Sequence, residues 1–321
     1  MKAIRVERTG GPDVLHLTDI EKPAPKAGEA LVKNTAVGVN FIDIYIRSGL
    51  YPMTTPYTPG AEAAGVIEAI GENAFDLKVG DRVAYMGGGG GAYAEYTCVA
   101  ADKLVPISKD VEDNDACAAM LQGVTAHYLS HATYPIQRGD TVVVHAAAGG
   151  VGALLVQFAK LRGAHVIATA STPEKRSLAV AAGADEATDY ESFVDKVKAF
   201  TSGEGAACVY DSVGKTTFEQ SLKALHPRGY MVLYGGASGP VPPIDPQALA
   251  GGGSLFLTRP TLVHYTRTRA ELLARTHDVF SHIAKKTLTV RVGATYPLAD
   301  AARAHTDLAA RATTGKLILL P

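Results

Sequence analysis

The feature that most constrains the fold of this chain is a turn at residues 145–152, which read His-Ala-Ala-Ala-Gly-Gly-Val-Gly. The turn follows the β-branched run 141–144 and precedes an apolar helical pattern that Gly163 ends. A second apolar run, 165–170, completes a strand, turn, helix and strand within about thirty residues, which is the context that a dinucleotide-binding turn requires. We therefore predict that the phosphates of a dinucleotide contact Gly149, Gly150, Val151 and Gly152.

The backbone of this turn explains why it favours phosphate. The first N–H groups of the helix have no partner within the helix, and the positive end of the helix dipole attracts an anion. Gly149 lets the backbone approach the phosphates, and Gly152 lets the helix pack closely on the strand. Ala147 takes the first position of the pattern, which we interpret as a tolerable loss of freedom at the turn.

The end of the second strand predicts which dinucleotide is bound. An NAD-binding unit places an Asp or Glu there, about 20 residues after the turn, to accept hydrogen bonds from the ribose 2′-hydroxyl. Here the strand runs out at Ser171 without a carboxylate, and Lys175 and Arg176 open the next helix, where Glu174 serves the helix dipole. A hydroxyl and two cations can bind a 2′-phosphate. We therefore predict NADPH as the cofactor, with Ser171 and Lys175 among its contacts.

Composition argues against several other classes of protein. The 321 residues carry a formal net charge of −1 without a basic block, which disfavours nucleic acid and anionic membranes as partners. Cys98, Cys117 and Cys208 form no Cys-x-x-Cys pair, so we expect no disulfide scaffold and a cytoplasmic location. The N-terminus alternates like a strand rather than resembling a signal peptide, and no apolar run is long enough to span a bilayer.

The pattern along the chain predicts an α/β protein with two domains. Apolar strands alternate with helices to form a doubly wound, six-stranded parallel sheet, with two helical pieces around Gly123 before it. Short strands with glycine and proline turns precede this region, which favours a partly barrel-like antiparallel domain. The C-terminal segment is again rich in predicted strands and is expected to rejoin that domain. The predicted domains are residues 1–120 plus 263–321 and an inserted nucleotide-binding domain at 121–262.

Long ordered segments resemble the medium-chain dehydrogenase/reductase superfamily and, within it, the zinc-free quinone oxidoreductases of the zeta-crystallin-like branch. The resemblance covers almost the whole chain and is carried by residues 38–52, 59–65, 80–83, 145–152, 210–214 and 258–260. It implies a Rossmann domain inserted in a GroES-like domain, and a homodimer that pairs through the edge strand near residues 255–258. It also implies hydride transfer from NADPH to a quinone held between the two domains.

Two positions separate this chain from the zinc alcohol dehydrogenases of the superfamily. Those enzymes resemble one another in a Cys after an early strand and in a Gly-His-Glu segment, and Cys and His hold the zinc. Asn40 stands at the Cys position and Ala61 at the His position, and three cysteines are too few for a four-Cys structural site. We therefore predict no metal. Alcohol oxidation is then disfavoured, whereas a quinone or enone accepts hydride with its charge delocalised.

The resemblance further implies positions for the catalytic and cofactor contacts. Asn40 and Tyr45 are predicted to orient substrate or nicotinamide, with Tyr45 as a donor to the developing oxyanion, or else to pack between strand and helix. The remaining predicted cofactor contacts are Phe41, Thr125, Tyr190, Ser212, Tyr234, Gly235, Phe256, Leu257, Thr258 and Arg311. The alternative for Thr125 is a helix-start hydroxyl, and the alternative for Arg311 is a solvated helix face. We expect His145 to be a satisfied core histidine.

Other functions stay open on the sequence. An enone, alkenal or 2-enoyl thioester reductase would use the same fold and the same NADPH. Some members of the branch are lens structural proteins or bind RNA, although a net charge of −1 without a basic stripe disfavours RNA. The glycine run 87–91 is interpreted either as a loop near the substrate cleft or as a flexible loop without a role in binding.

Overall fold

The structure is a computed structural model that describes residues 1–87 and 91–321. The glycine run 87–91 lies partly outside the described residues, because 88–90 are not among them. The chain divides into two compact units, the first formed by Met1–Val124 with Thr266–Pro321 and the second by Thr125–Tyr265. Across the described residues, no helix combines the length and the apolar character needed to cross a membrane.

The strands are β1 (Lys2–Arg5), β2 (His16–Asp19), β3 (Glu29–Val39), β4 (Glu62–Ile70), β5 (Arg82–Met86), β6 (Tyr96–Ala100), β7 (Val105–Pro106), β8 (Thr141–Val144), β9 (His165–Thr169), β10 (Glu186–Thr188), β11 (Ala206–Asp211), β12 (Leu225–Leu233), β13 (Phe256–Thr258), β14 (Val292–Pro297) and β15 (Lys316–Leu320). The helices are α1 (Phe41–Arg47), α2 (Asp113–Tyr128), α3 (Gly150–Leu161), α4 (Pro173–Ala181), α5 (Phe193–Phe200), α6 (Phe218–Lys223), α7 (Gln247–Gly251), α8 (Leu262–Tyr265), α9 (Arg269–Ala284) and α10 (Ala301–Ala309).

The second unit contains the predicted doubly wound sheet. Its six strands are all parallel and run in the order β10-β9-β8-β11-β12-β13. Apolar residues such as Val143, Ile167, Val209 and Met231 are fully buried, as expected for strands that helices cover on both faces. The prediction of a Rossmann sheet is confirmed, and its strand order places the turn before α3 beside the point where the order reverses.

The first unit is rich in strands, as predicted. Its seven-stranded sheet has the order β14-β15-β3-β4-β5-β7, β6 also pairs with β3, and β1 and β2 form a separate antiparallel pair. Side chains such as Val32, Val37, Ile67, Val83 and Leu317 form its core. The pairing of Leu317 with Val39 brings the start of β15 beside the end of β3, although the two strands are far apart in sequence.

The predicted break around Gly123 is wrong. Helix α2 runs without interruption to Tyr128 and continues into a π-helical turn at Leu129–Thr133. A Cβ at position 123 would lie 2.9 Å from Cγ1 of Val279, so this glycine allows α9 to pack closely on α2. Thr125 consequently lies inside a helix, which also overturns the alternative that its hydroxyl marks a helix start.

Candidate functional site

The turn before α3 forms a tight cradle of backbone. Gly149 is the N-cap of the helix and offers no side chain to the first N–H groups. A Cβ on Gly152 would lie 2.8 Å from Cα of Ala147, and Ala146 adopts a positive φ of 50°. The close approach at Gly152 leaves no room for another residue, which is the role that the sequence predicts for it. The uncapped N–H groups fit a pyrophosphate.

Two basic residues lie at the start of α4, just after the end of β9. Arg176 donates from Nη1 to the carbonyl of Ala170 at 3.4 Å, and Thr172 caps α4 by accepting from the N–H of Lys175 at 3.3 Å. Both basic residues are half-buried, and Ser171 beside them is exposed. Hydrogen bonds from its own backbone N–H and from Thr172 hold the pKa of Glu174 below its usual value. This end of the strand therefore suits a phosphate better than a ribose hydroxyl.

The acid that directly follows the next strand, β10, is engaged elsewhere. Asp189 accepts from the Ser192 N–H at 2.9 Å, from the Ser192 hydroxyl at 2.5 Å and from the Glu191 N–H at 3.1 Å. These bonds lower the pKa of Asp189 and bind its carboxylate to the start of α5. The acid stabilises its own turn, because its lone pairs already accept local donors.

Predicted cofactor contacts also collect at the ends of β11 and β12. A Cβ on Gly235 would lie 2.6 Å from the carbonyl oxygen of Ser212, so the two backbones pass in direct contact. Burial raises the pKa of Tyr234, which also bonds Ser212. On the edge strand β13, Phe256 is 50% exposed and Leu257 is 36% exposed. Ser212, Tyr234 and Gly235 thus follow the carboxyl ends of β11 and β12, where a ligand crevice is expected, whereas residues 256–258 form the edge strand itself.

His145 is a satisfied core residue, as expected from the sequence. Its Nδ1 lies 2.8 Å from the Thr169 hydroxyl, and its Nε2 lies 2.9 Å from the Ser221 hydroxyl. Burial lowers the pKa of His145. The ring of Tyr190 lies 5.8 Å from the imidazole, centroid to centroid, so this predicted cofactor contact packs against the same group.

The Ser221 hydroxyl donates to the buried carboxylate of Asp211 at 3.1 Å. That carboxylate also accepts from Thr217 Oγ1 at 2.7 Å and from the N–H groups of Val213 and Gly214 at 2.7 and 2.9 Å. We call the set of His145, Thr169, Asp211, Thr217 and Ser221 the hydroxyl cluster. Asp211 thus caps the end of β11 by accepting from the two backbone N–H groups that follow it.

The remaining predicted residues lie in the first unit. Tyr45 sits on α1 between two aromatic rings, 6.2 Å from Phe41 and 5.5 Å from Tyr51 between centroids. Arg311 is exposed, adopts a positive φ of 54° and lies beyond the end of α10, so the alternative that places it on a helix face is wrong. Asn40 lies between β3 and α1 as the N-cap of the helix, with only 5% of its surface exposed.

Both ends of the Asn40 side chain are bonded within the first unit. Its Nδ2 donates to Glu62 Oε1 at 2.9 Å, and its Oδ1 accepts from Lys316 Nζ at 2.8 Å. Lys316 and Glu62 also form a direct ion pair, and they are 1% and 0% exposed. Burial lowers the pKa of Lys316 to about 7. The negative charge of Asp43 opposes this shift, because it favours the protonated form of the lysine.

Asp43 extends this arrangement along α1. Its Oδ2 accepts from the Asn40 N–H at 2.9 Å and from the Tyr93 hydroxyl at 3.2 Å. Burial raises the pKa of Asp43 to about 6, although these hydrogen bonds and Lys316 oppose the shift. The Tyr93 hydroxyl also lies 2.9 Å from His305 Nε2. We call the set of Asn40, Asp43, Glu62 and Lys316 the ionic cluster.

Comparisons with known proteins place the chain in a family. Residues 26–109 match the family described as alcohol dehydrogenase GroES-like domain, and residues 150–281 match the one described as zinc-binding dehydrogenase. The quinone oxidoreductase of Pseudomonas aeruginosa is 45% identical over 100% of this chain and 99% of that protein. The chain belongs to the quinone oxidoreductase family of the medium-chain dehydrogenases/reductases. The recognition made from the sequence is confirmed.

Two further relatives indicate the range of this family. The crystal structure of Escherichia coli quinone oxidoreductase complexed with NADPH is 41% identical, covers 100% of both chains and gives a TM-score of 0.98. The 2-haloacrylate reductase of a Burkholderia species is 39% identical over 98% of this chain and 98% of that protein. The family fold therefore occurs in reductases that are named for different substrates.

One matched family is described as zinc-binding, so we asked whether the side chains at the zinc-ligand positions of this chain could hold zinc. Positions 40 and 61 are Asn and Ala, so neither thiolate nor imidazole is offered there. The two carboxylates beside them are already bonded: Glu62 by the ammonium of Lys316, the amide of Asn40 and the backbone N–H of Leu121, and Asp43 by the backbone N–H of Asn40 and the Tyr93 hydroxyl. A set of an amide and a carboxylate that already bonds an ammonium does not fit zinc.

Sequence reasoning missed most of the ionic cluster. Glu62 falls within the segment 59–65 that carries the family resemblance, and the sequence assigned a role neither to it nor to Lys316. A signal was nevertheless present, since each charge adjoins small or apolar residues that are expected to be buried, Ala63 and Ala64 in one case and 317–320 in the other. A charge in such a run needs a partner of opposite sign, but the run does not say which.

Proposed function

We propose that this protein is an NADPH-dependent quinone reductase that transfers hydride without a metal. The observation that carries the proposal is the segment after β9, where residues 170–173 include no carboxylate at the tip of the strand and Lys175 and Arg176 lie on a helix capped by Thr172. The family to which the chain belongs supports the same activity, since a relative of 41% identity is a quinone oxidoreductase complexed with NADPH.

The residues of the second unit fit this cofactor. Gly149 and Gly152 admit a pyrophosphate to the N-terminus of α3, and Lys175, Arg176 and Ser171 suit a 2′-phosphate. We propose the remaining contacts at Ser212, Tyr234 and Gly235, which follow the carboxyl ends of β11 and β12, and at residues 256–258 of the edge strand. Bound NADPH supplies the hydride, and the protein supplies binding and orientation.

In the first unit, Tyr45 is the proposed donor to the oxyanion that forms on the acceptor. It is half-buried in the aromatic group formed with Phe41 and Tyr51, whose rings suit a flat conjugated acceptor. Asn40 is held in one orientation by Glu62 and Lys316. The expectation that the acceptor binds between the two domains stays a prediction, as do the roles of Thr125, Tyr190 and Arg311.

Cofactor choice is tested with Lys175→Ala, Arg176→Ala and the matched exposed control Lys198→Ala. We expect each of the first two changes to raise the KM for NADPH about tenfold, which corresponds to about 1.4 kcal/mol of lost binding. The KM for NADH should change little in the same proteins, because NADH has no 2′-phosphate. Equal effects on both cofactors, or an unchanged KM for NADPH, would contradict the assignment.

Acceptor choice is tested by steady-state oxidation of NADPH with small ortho- and para-quinones. The absence of turnover with every quinone would overturn the proposed function. The second candidate is reduction of a conjugated alkene such as an enone or alkenal, which the 39% identity to a 2-haloacrylate reductase favours. Comparison of kcat/KM for quinones with the values for 2-alkenals and 2-haloacrylate distinguishes the two.

We also propose a homodimer through the edge strand β13. This strand is the last of the six-stranded sheet, and two of its three side chains, Phe256 and Leu257, are exposed. A two-fold partner would continue the sheet and cover this edge. Sedimentation equilibrium of Leu257→Lys should give the mass of one chain if the pairing is as proposed, and an unchanged dimer would exclude this edge. A cytoplasmic location stays part of the proposal.

A further inference from the structure

Lys316 is the basic residue of the ionic cluster, and its burial is unusual for a lysine. It begins β15, with 1% of its side chain exposed, and Leu317 beside it pairs with Val39 at the end of β3. This register brings Lys316 to the junction of β3 and α1, where its Nζ bonds both Asn40 Oδ1 and Glu62 Oε1. The ammonium therefore lies between the side chains of positions 40 and 62.

Glu62 needs a cation in this place because it is completely buried. Its Oε2 accepts from the Leu121 N–H at 2.7 Å, and its Oε1 bonds Asn40 and Lys316. Gly38 permits this placement, since a Cβ at that position would collide with the carboxylate. A buried carboxylate without a compensating charge is strongly unfavourable.

We propose that Lys316 is a built-in cation that replaces a metal ion at positions 40, 61 and 62 and excludes one from them. The zinc alcohol dehydrogenases that the sequence resembles carry Cys at the position of Asn40, directly after β3, and His at the position of Ala61, directly before β4. Glu62 adjoins Ala61 in the chain and bonds the side chain of Asn40. In this chain the positive charge comes from Lys316 instead. The ammonium also holds the Asn40 amide in a single orientation, because it bonds the oxygen while Glu62 bonds the nitrogen.

The proposal concerns the charge in this place and does not rest on the identity of the acceptor. It implies that restoring metal ligands is insufficient while the ammonium is present, because two cations would compete for one carboxylate. It also implies that removing the ammonium makes the same ligands effective. Cys, His and Glu are a donor set that zinc accepts.

The test is a zinc-binding series built on Asn40→Cys with Ala61→His. This double variant is compared with the same protein carrying Lys316→Met and with a matched control carrying Lys33→Met, which removes an exposed lysine from β3. Each protein is incubated with excess zinc and passed through a desalting column, and zinc is measured by mass spectrometry. The expected result is about one zinc per chain with Lys316→Met and less than about a tenth with Lys316 present.

Lys316→Gln in the same background provides a second variant should Lys316→Met fail to fold. The amide is neutral but keeps a donor for Glu62, and far-UV circular dichroism establishes that each protein is folded. Zinc bound equally with Lys316 and without it would overturn the proposal. Zinc absent from both folded forms would overturn it as well, since removal of the ammonium would then not open the site. Failure of quinone turnover would leave this zinc result unchanged and would contradict only the proposed function.

Discussion

The two units stabilise buried polar groups in different ways. The ionic cluster of the first unit balances Glu62 with Lys316, which comes from a strand near the other end of the chain. The hydroxyl cluster of the second unit contains one carboxylate, Asp211, which accepts two backbone N–H groups and two hydroxyls. Its imidazole, His145, is kept neutral by burial, which lowers its pKa.

The difference teaches how each cluster should respond to the loss of one member. A buried ion pair that loses one partner leaves a charge without compensation, and the penalty is large. A carboxylate with several neutral donors keeps most of its hydrogen bonds when one is removed. The two clusters therefore predict different sizes of effect, which substitutions and pH can measure.

The largest expected effect comes from Lys316→Met in the ionic cluster. We expect a loss of about 3–5 kcal/mol in the free energy of unfolding, because Glu62 is left buried and unpaired. Adding Glu62→Gln should recover most of that loss. The measurement is urea unfolding followed by circular dichroism, with Lys33→Met as an exposed control that should stay within about 0.5 kcal/mol. A loss below about 1 kcal/mol for Lys316→Met would remove the contrast between the clusters.

A smaller effect is expected from Asp211→Asn in the hydroxyl cluster. The amide would place an N–H₂ group against donors that now point at a carboxylate, and we expect a loss of about 2–3 kcal/mol. Asp195→Asn, which changes an exposed acid on α5, is the matched control. A cost above that of Lys316→Met would reverse the ranking of the clusters. The same unfolding measurement decides it.

A pH-dependent effect is expected from His305, whose imidazole contacts the ionic cluster through Tyr93. Burial, with the nearby charge of Arg47, lowers the pKa of His305 to about 3. The unfolded chain therefore binds more protons below about pH 6.5, and this histidine makes the fold less stable as the pH falls, by up to about 1.4 kcal/mol per pH unit.

His305→Gln lacks this titration, so the variant is the measurement that isolates it. The stability of the wild type relative to His305→Gln should fall by about 1.6 kcal/mol from pH 6.5 to pH 5. Asp43 acts in the opposite direction, since burial raises its pKa to about 6, but it is present in both proteins. A difference independent of pH would show that His305 titrates normally in the fold.

The smallest expected effect is that of Thr217→Val. This change removes one hydroxyl donor from Asp211, which keeps the Ser221 hydroxyl and two backbone N–H groups. We expect a loss of about 1 kcal/mol, which is the ordinary net value of a hydrogen bond. A loss as large as that of Asp211→Asn would mean that Thr217 organises the whole cluster.

The nucleotide-binding unit was predictable because its signals are local. The strand, turn, helix and strand around Gly149 and Gly152 follow one another in the chain, and each turn residue has a backbone role that its type alone suggests. The basic residues after β9 are similarly adjacent in sequence. The absence of an acid there could be read without knowing the fold.

Two other features were beyond sequence reasoning because they depend on distant contacts. The glycine at position 123 was interpreted as a break, whereas it makes room for Val279 on α9. The partner of Glu62 is likewise not encoded near it, because it is Lys316 on the last strand of the chain, which also donates to Asn40 from 276 positions away. A buried charge implies that an oppositely charged partner lies nearby, but the pairing of β3 with β15 determines which residue that partner is.

The sequence by itself determined the Rossmann unit, the preference for a cofactor with a 2′-phosphate and the lack of Cys and His at positions 40 and 61. These follow from residue types at fixed, short spacings. Only the tertiary structure decided what stands in place of those ligands, because the strands β3, β4 and β15 must pair before Asn40, Glu62 and Lys316 can meet. The physical reason is that a buried charge is stabilised by what surrounds it in space, and the surroundings are set by the sheet rather than by the neighbouring residues.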